Sequence, residues 1–83
     1  MTELDGDWNV HPLPGVRKSI AGDRGETIVA GVIRFRFDVR GLELHYRAPL
    51  RGLVDVLEPA GAGFRGRATV FGRTVGTFEL RRK

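Results

Sequence analysis

The sequence predicts an all-β protein, a small antiparallel up-and-down meander barrel of seven or eight short strands. Two runs of residues alternate apolar and polar side chains without interruption, and a short turn separates them. Glycine, proline and short polar groups recur about every eight to twelve residues, as the turns of an all-β domain require. Side chains point alternately to the two faces of a strand, so this alternation indicates a sheet with one buried face.

The alternating runs are residues 35–39 and 42–46, and only Arg40-Gly41 lies between them. A two-residue turn sets the register of the two strands that it joins. Here it would pair apolar residues with each other: Val39 with Leu42, Phe37 with Leu44 and Phe35 with Tyr46. Because both apolar faces then coincide, the pattern predicts one half-buried antiparallel hairpin.

The amino-terminal part of the chain predicts two short strands, at residues 8–10 and 16–20. Residues 11–15 between them contain two prolines, which cannot donate hydrogen bonds to a strand ladder, and we expect a loop there. Residues 21–25 contain two glycines and are expected to form the next turn.

The middle of the chain is less regular. Residues 27–39 are long for a single strand, and Gly31 predicts a bulge or a sharp bend within it. A strand at 42–48 follows. In residues 50–58 the apolar residues have helical spacing, whereas Gly52 and the β-branched Val54 and Val56 disfavour a helix. We predict a strand over 50–58.

Residues 64–71 and 75–81 predict a closing hairpin around Gly72-Arg73, after a turn at 59–63. A two-residue loop would place an inward residue opposite an outward one, because Phe78 would face Arg67. A longer loop or a bulge keeps the faces consistent. It pairs Ala68 with Phe78, Gly66 with Leu80 and Arg67 with Glu79. We predict the bulged or longer turn.

Residues 1–83 are predicted to form one β-barrel domain. A chain of this size buries only about 60–65% of its unfolded surface, so its stability margin is small. Cysteine is absent, so neither a disulfide nor a thiolate metal site can reinforce the core. A homodimer is therefore expected, above all if seven strands form and leave one edge unpaired.

The chain has a net charge of +4 and a pI near 10.7, with twelve arginines and two lysines spread along it. A basic chain with aromatic residues raises an alternative, a single-stranded nucleic-acid-binding barrel of the OB or SH3-like type. The alternation argues against it. The rings of Phe35, Phe37 and Tyr46 fall on one face, whereas four nearby arginines fall on the other: Arg34, Arg36, Arg40 and Arg47. We expect nucleic acid not to be the partner.

Gly6-Asp7-Trp8 near the start, a meander of strands and a basic last strand resemble the lipocalin-like (calycin) barrels. The later segments are also similar to small bacterial lipocalin-like domains: Leu44-x-Tyr46, Leu53-Val-Asp-Val-Leu57, Phe64-x-Gly66 and Gly76-x-Phe78-x-Leu80. The resemblance implies that Arg81 or Arg82 packs over the indole of Trp8. It also implies a barrel that either binds something hydrophobic or has a filled core. The chain has about half the length usual in that family, so a half-size unit that pairs with its own copy is a further implication.

The candidate binding residues are the aromatic side chains predicted to face inward: Trp8, Phe35, Phe37, Tyr46 and Phe78. Such side chains could form the wall of a site for a small hydrophobic ligand. They could equally be the core, in which case Trp8 would be its largest member.

The sequence offers little for catalysis or metal binding. Ser19 is the one serine and has no nucleophile motif around it, and His11 and His45 are expected in solvent. Asp55 is the one acid in an apolar setting, and an unpaired buried carboxylate is costly. We expect it to form a structural ion pair with Arg65 or Arg67. We therefore expect no enzyme, no cofactor and no metal.

The first residues are acidic and lack the apolar segment of a signal peptide, and no apolar run approaches the roughly 20 residues that span a bilayer. A cytoplasmic protein without a membrane partner is expected. The function that the sequence favours is a non-enzymatic barrel that binds a small hydrophobic ligand or serves as a structural or interaction module.

Overall fold

The computed structural model describes residues 3–83 and contains eight antiparallel strands. They are β1 (Gly6–His11), β2 (Val16–Ala21), β3 (Arg24–Val29), β4 (Ile33–Arg40), β5 (Glu43–Tyr46), β6 (Leu53–Ala60), β7 (Gly63–Val70) and β8 (Arg73–Arg82). Each strand pairs with the next in the chain, and β1 pairs with β8, so the sheet closes on itself. The predicted all-β, up-and-down barrel is confirmed.

Closure bears on the predicted dimer. The last strand pairs with the first from Trp8 opposite Arg82 to His11 opposite Glu79. No strand is left over among the eight, so the unpaired seventh strand that favoured a dimer does not exist in the part of the chain that is described. The homodimer stays a prediction, without that argument.

Alternate connections of an up-and-down barrel lie at the same end. We call one end the loop end. It carries the β1–β2, β3–β4, β5–β6 and β7–β8 connections, residues 12–15, 30–32, 47–52 and 71–72. The opposite, terminal end carries the other three connections and the two ends of the chain.

The prediction of one strand over 27–39 is wrong. The chain reverses at residues 30–32 and gives two strands, β3 and β4, paired from Arg24 opposite Asp38 to Val29 opposite Ile33. Ala30 and Gly31 have φ of 54° and 74°, the left-handed conformation that closes a tight turn. Gly31 thus belongs to a hairpin turn and not to a bulge.

The hairpin of β4 and β5 is confirmed, but its register differs by two residues from the prediction. Phe37 pairs with Tyr46 and Val39 with Leu44, because the turn is Gly41-Leu42. Gly41 has φ of 59° at the first turn position. A turn at Arg40-Gly41 would have put the arginine there, and glycine adopts positive φ with less strain. A shift of two residues preserves the faces, so the apolar sides still coincide.

Residues 53–58 belong to the strand β6, as predicted, whereas residues 50–52 lie in the connection before it. The predicted bulge in the last hairpin is also present, between Ala68 and Thr69. The predicted pairs are shifted, however: Gly66 lies opposite Phe78, and Arg65 rather than Arg67 lies opposite Glu79. The turn residues are Phe71 and Gly72, with φ of 49° and 84°, one position earlier than expected.

One hydrophobic core occupies the interior of the barrel. Its fully buried side chains are Leu4, Trp8, Phe37, Leu44 and Leu80. Further buried residues complete it, and Phe35 packs against it while partly exposed. The ring of Phe78 lies where a Cβ at Gly66 would stand, 2.3 Å from the nearest ring atom, so the aromatic ring occupies the space that this glycine leaves open.

Candidate functional site

Five buried residues among 3–83 carry polar side chains. Thr69 donates to the carbonyl of Val54, and the other four form one group inside the barrel. Lys18 of β2, Thr27 of β3, Tyr46 of β5 and Asp55 of β6 are all buried, with Lys18 only 3% and Asp55 only 4% exposed. Each stands at an inward position of its strand; Lys18, for example, comes between Val16 and Ile20 on one face. Lysine and aspartate are almost never fully buried unless they are paired. This set, which we call the polar cluster, is therefore the most unusual chemistry in the chain.

The ammonium group of Lys18 is the centre of the polar cluster. Its Nζ lies 3.1 Å from Oδ2 of Asp55. It also donates to the hydroxyl of Tyr46 and to Oγ1 of Thr27, each at 2.6 Å. An ammonium group has three protons to donate. All three have an acceptor, so the charged form of Lys18 is fully satisfied.

The two hydroxyls form a chain that ends on the carboxylate. Oγ1 of Thr27 and the hydroxyl of Tyr46 are 2.5 Å apart, and the Tyr46 hydroxyl donates to Oδ2 of Asp55 at 3.0 Å. Because Lys18 donates to both hydroxyls, the proton of Thr27 is left to point to Tyr46 and that of Tyr46 to point to Asp55. Hydrogen bonds in such a chain polarise and strengthen one another.

Aromatic rings surround the ammonium group. Nζ of Lys18 lies 5.3–5.5 Å from the ring centres of Phe37, Tyr46 and Phe78, within the range of cation–π attraction. Phe37 and Tyr46 also contact each other edge to face, with ring centres 5.3 Å apart. The interior therefore holds its one cation by a carboxylate, two hydroxyls and three ring faces.

Burial changes the acid–base properties of the polar cluster. Removal from water lowers the pKa of Lys18, and the charge and hydrogen bond of Asp55 partly oppose that shift. Removal from water also raises the pKa of Tyr46, and the charge of Asp55 raises it further. Burial and the charge of Asp55 therefore both keep Tyr46 in its neutral phenol form.

The raised pKa of Tyr46 predicts a loss of stability in alkali. An unfolded tyrosine ionises near pH 10. Above that pH the unfolded state has lost a proton that the folded state keeps, so the free energy of unfolding falls by up to about 1.4 kcal/mol per pH unit. The lowered pKa of Lys18 has the opposite effect below about pH 10.4, the ordinary pKa of lysine: there the free energy of unfolding rises with pH. Above about pH 10.4 Lys18 no longer changes the dependence of stability on pH.

Tyr46 is the one tyrosine of the chain, so its phenolate absorbance can be followed directly. We expect this absorbance to appear only together with the loss of β-sheet circular dichroism. The control is Tyr46→Phe, which should lose less stability above pH 10. A phenolate that forms near pH 10 while the sheet is intact would contradict the prediction.

The predicted partner of Asp55 is wrong. In the pairing of β6 with β7, Asp55 lies opposite Ala68, and the inward residues of β7 alternate with Arg65 and Arg67. Both arginines are exposed on the outside of the barrel, where Arg67 donates to Thr74. Lys18 of β2, which the sequence analysis did not consider as a partner, pairs with Asp55 instead. Its place between Val16 and Ile20 was the signal that could have revealed it.

The predicted binding residues divide into two groups. Phe37, Tyr46 and Phe78 surround Lys18, and Phe35 packs at the edge of the core. Trp8 lies toward the terminal end, where its ring meets Phe64 edge to face with centres 5.4 Å apart. Four of the five belong to one hydrophobic core cluster, and Phe35 packs against it. Their role in ligand binding stays a prediction.

Trp8 has two further partners. Its Nε1 donates to the carbonyl of Leu4 at 2.9 Å. The guanidinium carbon of Arg82 lies 4.2 Å from the centre of its ring. Of the two arginines that the resemblance offered, Arg82 is the one over the indole, and it also donates to the carbonyls of Glu3 and Asp5.

A surface pocket of about 450 Å³ lies beside this aromatic pair. Ala60, Ala62 and Gly63 of the β6–β7 turn line one side, and Leu80 and Arg82 of β8 line the other, with Phe64 at its base. Its volume falls in the range of small-molecule sites.

The loop end carries a second concentration of unusual side chains. Seven large hydrophobic residues are exposed among residues 3–83, and six of them lie at this end: Leu13, Val32, Ile33, Val70, Phe71 and Val75. The seventh, Leu42, is in the β4–β5 turn at the terminal end. Exposed apolar residues scattered singly need no explanation, whereas a cluster rimmed by polar groups marks an interaction surface.

The connections of the loop end are basic, and the carboxylates nearest to them, Asp38 and Glu79, belong to the strands β4 and β8. The four connections and the residues that flank them contain Arg47, Arg51 and Arg73 but no aspartate or glutamate. Arg47 is paired with Asp38 of β4 at 2.5 Å. Arg51 and Arg73 are exposed and make no ion pair within residues 3–83. The loop end thus combines apolar side chains with unneutralised positive charge.

Comparison with known proteins found no matching family model, no matching curated protein and no matching solved structure. Within residues 3–83, no helix has the length and apolar character needed to cross a bilayer.

Proposed function

We propose that this chain is a non-enzymatic, lipocalin-like barrel that serves as an interaction module and contacts its partner with the loop end. The observation that carries the proposal is the position of the exposed hydrophobic residues, six of seven at one end. The remaining outer surface is dominated by charged side chains, as the alternation predicted. A partner that covers the loop end would remove these apolar side chains from water.

The filled interior supports a surface site over an internal one. A ligand at the centre of the barrel would have to displace the hydrogen bonds among Lys18, Tyr46 and Asp55. Each buried polar group left without a partner costs about 1–3 kcal/mol. Displacing all three would therefore cost several kcal/mol.

The lipocalin-like part of the proposal rests on the closed meander and on Arg82 over Trp8. A cytoplasmic location stays part of the proposal. Nucleic acid has less support, because Phe71 is the one strongly exposed aromatic ring among residues 3–83, while Phe37 and Tyr46 face inward. Base stacking and phosphate binding need rings and charges on one surface.

The test is a titration with an anionic naphthalene-sulfonate dye, which combines an apolar ring with a negative charge. We expect saturable binding, weakened about tenfold in the variant Val32→Ser/Phe71→Asn, since a loss of about 1.4 kcal/mol of contact corresponds to tenfold in affinity. Leu42→Ser is the matched control, because it removes an exposed hydrophobic residue from the other end. It should leave the affinity unchanged.

A small hydrophobic ligand bound in the pocket beside Phe64 is the second candidate, favoured by the volume and apolar lining of that pocket. In that case Ala62→Leu, which would fill the pocket, should weaken dye binding, and the loop-end variant should not. Absence of saturable binding at micromolar protein would overturn both candidates.

A further inference from the structure

We propose that the partner of the loop end is an anionic membrane surface, into which the apolar hairpin tips insert while Arg51 and Arg73 bind lipid phosphates. The inference rests on the proposed function of the loop end and names the chemistry of its partner.

The apolar side chains project from two hairpins on opposite sides of the barrel. Val32 and Ile33 belong to the β3–β4 hairpin, and Phe71 and Val75 belong to the β7–β8 hairpin. Because β4 and β8 are four strands apart in a closed barrel of eight, the two tips flank its mouth. One broad partner surface can contact both tips at once, whereas a small ligand such as the dye contacts one tip or the other, which is why the dye test removes both.

The neighbouring loops hold both tips in place. The amide of Ala30 donates to the carbonyl of Gly15 at 2.8 Å, and the amide of Phe71 donates to the carbonyl of Gly52 at 2.9 Å. The tips are therefore held without the partner, and little ordering of the backbone is needed when they insert.

Phe71 is the most informative residue of the loop end. It is 85% exposed, and it has φ of 49° at the first position of a turn completed by Gly72. Such turns favour Asn-Gly or Asp-Gly, and a bulky residue at positive φ is strained. One edge of the ring lies over Gly52, where a Cβ would come within 2.5 Å of a ring atom, and the rest of the ring faces solvent. A ring this exposed on a strained turn is placed to contact something outside the chain.

The charges select a membrane over the other possible partners. Arg51 and Arg73 are exposed and have no ion-pair partner within residues 3–83, and anionic lipids attract such side chains. A second copy docked by the same end would place arginine against arginine, with no carboxylate in the four connections to compensate. Phe71 could stack on one base, but nucleic acid offers no apolar phase for the aliphatic side chains of the loop end, Val32, Ile33 and Val75.

The sequence predicted no membrane partner because no segment is long enough to span a bilayer. Contact with the surface of a bilayer needs no such segment: apolar side chains at the level of the head groups and nearby basic residues are sufficient. The inference concerns this peripheral contact only.

The test is co-sedimentation of the full chain with vesicles of phosphatidylcholine and phosphatidylglycerol in equal parts, and with vesicles of phosphatidylcholine alone. We expect binding to the anionic vesicles that weakens with added salt, and at least about tenfold weaker binding to the neutral ones. Arg51→Gln/Arg73→Gln should weaken binding roughly 20-fold, since each basic residue near the surface contributes about fivefold. Phe71→Asn, which also relieves the turn, should weaken it about tenfold while the fold is retained.

The matched control is Arg40→Gln/Leu42→Ser, which makes the same kinds of change in the β4–β5 turn at the terminal end. Binding should be unaffected by it, and an equal loss in this control would overturn the assignment to the loop end. Absence of vesicle binding would overturn the membrane inference. If the dye still binds at the loop end in that case, the proposed interaction surface stands with another partner.

Two further outcomes would replace the membrane by another partner. Tighter binding of a single-stranded oligonucleotide than of anionic vesicles, lost in Arg51→Gln/Arg73→Gln, would indicate nucleic acid. A dimer in sedimentation equilibrium that dissociates in Phe71→Asn would indicate a second copy of the chain. Either result would overturn the inference.

Discussion

Lys18→Met is expected to destabilise the protein by about 3–5 kcal/mol, because it leaves the carboxylate of Asp55 buried without its counter-charge. Methionine has a similar length, so the change removes charge with little change in volume. Small domains have a total stability of about 5–15 kcal/mol, so the variant should be close to unfolding at neutral pH. Denaturant unfolding followed by circular dichroism measures the loss.

The variant Asp55→Leu should depend on pH. Its lone Lys18 has a pKa lowered by burial, so stability is regained as the pH rises toward about 10.4, the ordinary value for lysine. A stability of Asp55→Leu that does not rise over this range would contradict the buried pair.

The double variant Lys18→Met/Asp55→Leu is the decisive control. Replacing both partners of a buried ion pair by apolar residues is often neutral or stabilising by about 1–4 kcal/mol. Thr27 can still donate to Tyr46, but the Tyr46 hydroxyl loses its acceptor, which costs about 1–3 kcal/mol. We expect the double variant to be clearly more stable than Lys18→Met or Asp55→Leu, with strong coupling between the two sites. Additive losses would show that the two side chains do not interact.

Trp8→Ala is expected to cost about 3–5 kcal/mol, the usual range for truncating a large buried aromatic residue. Trp8 is fully buried, meets Phe64 edge to face and lies under Arg82. The substitution would leave a cavity at the terminal end. It would also remove the Nε1 donor, so the carbonyl of Leu4 would lose its hydrogen bond. We expect the variant to be largely unfolded at moderate temperature.

Trp8→Phe separates packing from hydrogen bonding at this site. It keeps an aromatic ring but loses the bond to Leu4, which is worth about 0.5–1.5 kcal/mol. Thermal unfolding by circular dichroism is the measurement, with Leu42→Ala as an exposed control that should change stability by less than about 0.5 kcal/mol. A loss below about 1 kcal/mol in Trp8→Ala would show that the indole is not part of the core.

The sequence predicted which side chains face inward more reliably than it predicted their partners. The alternation at residues 35–46 placed Phe37 and Tyr46 in the interior, and the structure agrees. The register of that hairpin was off by two residues, because turn type depends on local φ preferences that composition only suggests. The same cause accounts for Gly31, where a bulge or bend was predicted and the chain instead turns at Ala30-Gly31.

The candidate surfaces were less accessible to sequence reasoning. Leu13, Val32 and Phe71 are far apart in the chain, and only the up-and-down topology brings them to one end. Asp55 was identified as the one acid in an apolar setting, but its partner was assigned to β7 when it comes from β2. Which residues meet across the interior of a barrel, such as Asp55 and Lys18 here, is decided only when the sheet closes.

The sequence by itself determined an all-β chain with the rings of Phe37, Tyr46 and Phe78 inside and its arginines outside, because the two-residue period of a strand follows directly from the order of the residues. Only the tertiary structure decided that Lys18 meets Asp55 and that the apolar hairpin tips share one end. Those contacts join residues on strands that are not neighbours, and their positions follow from closure of the sheet rather than from any local pattern.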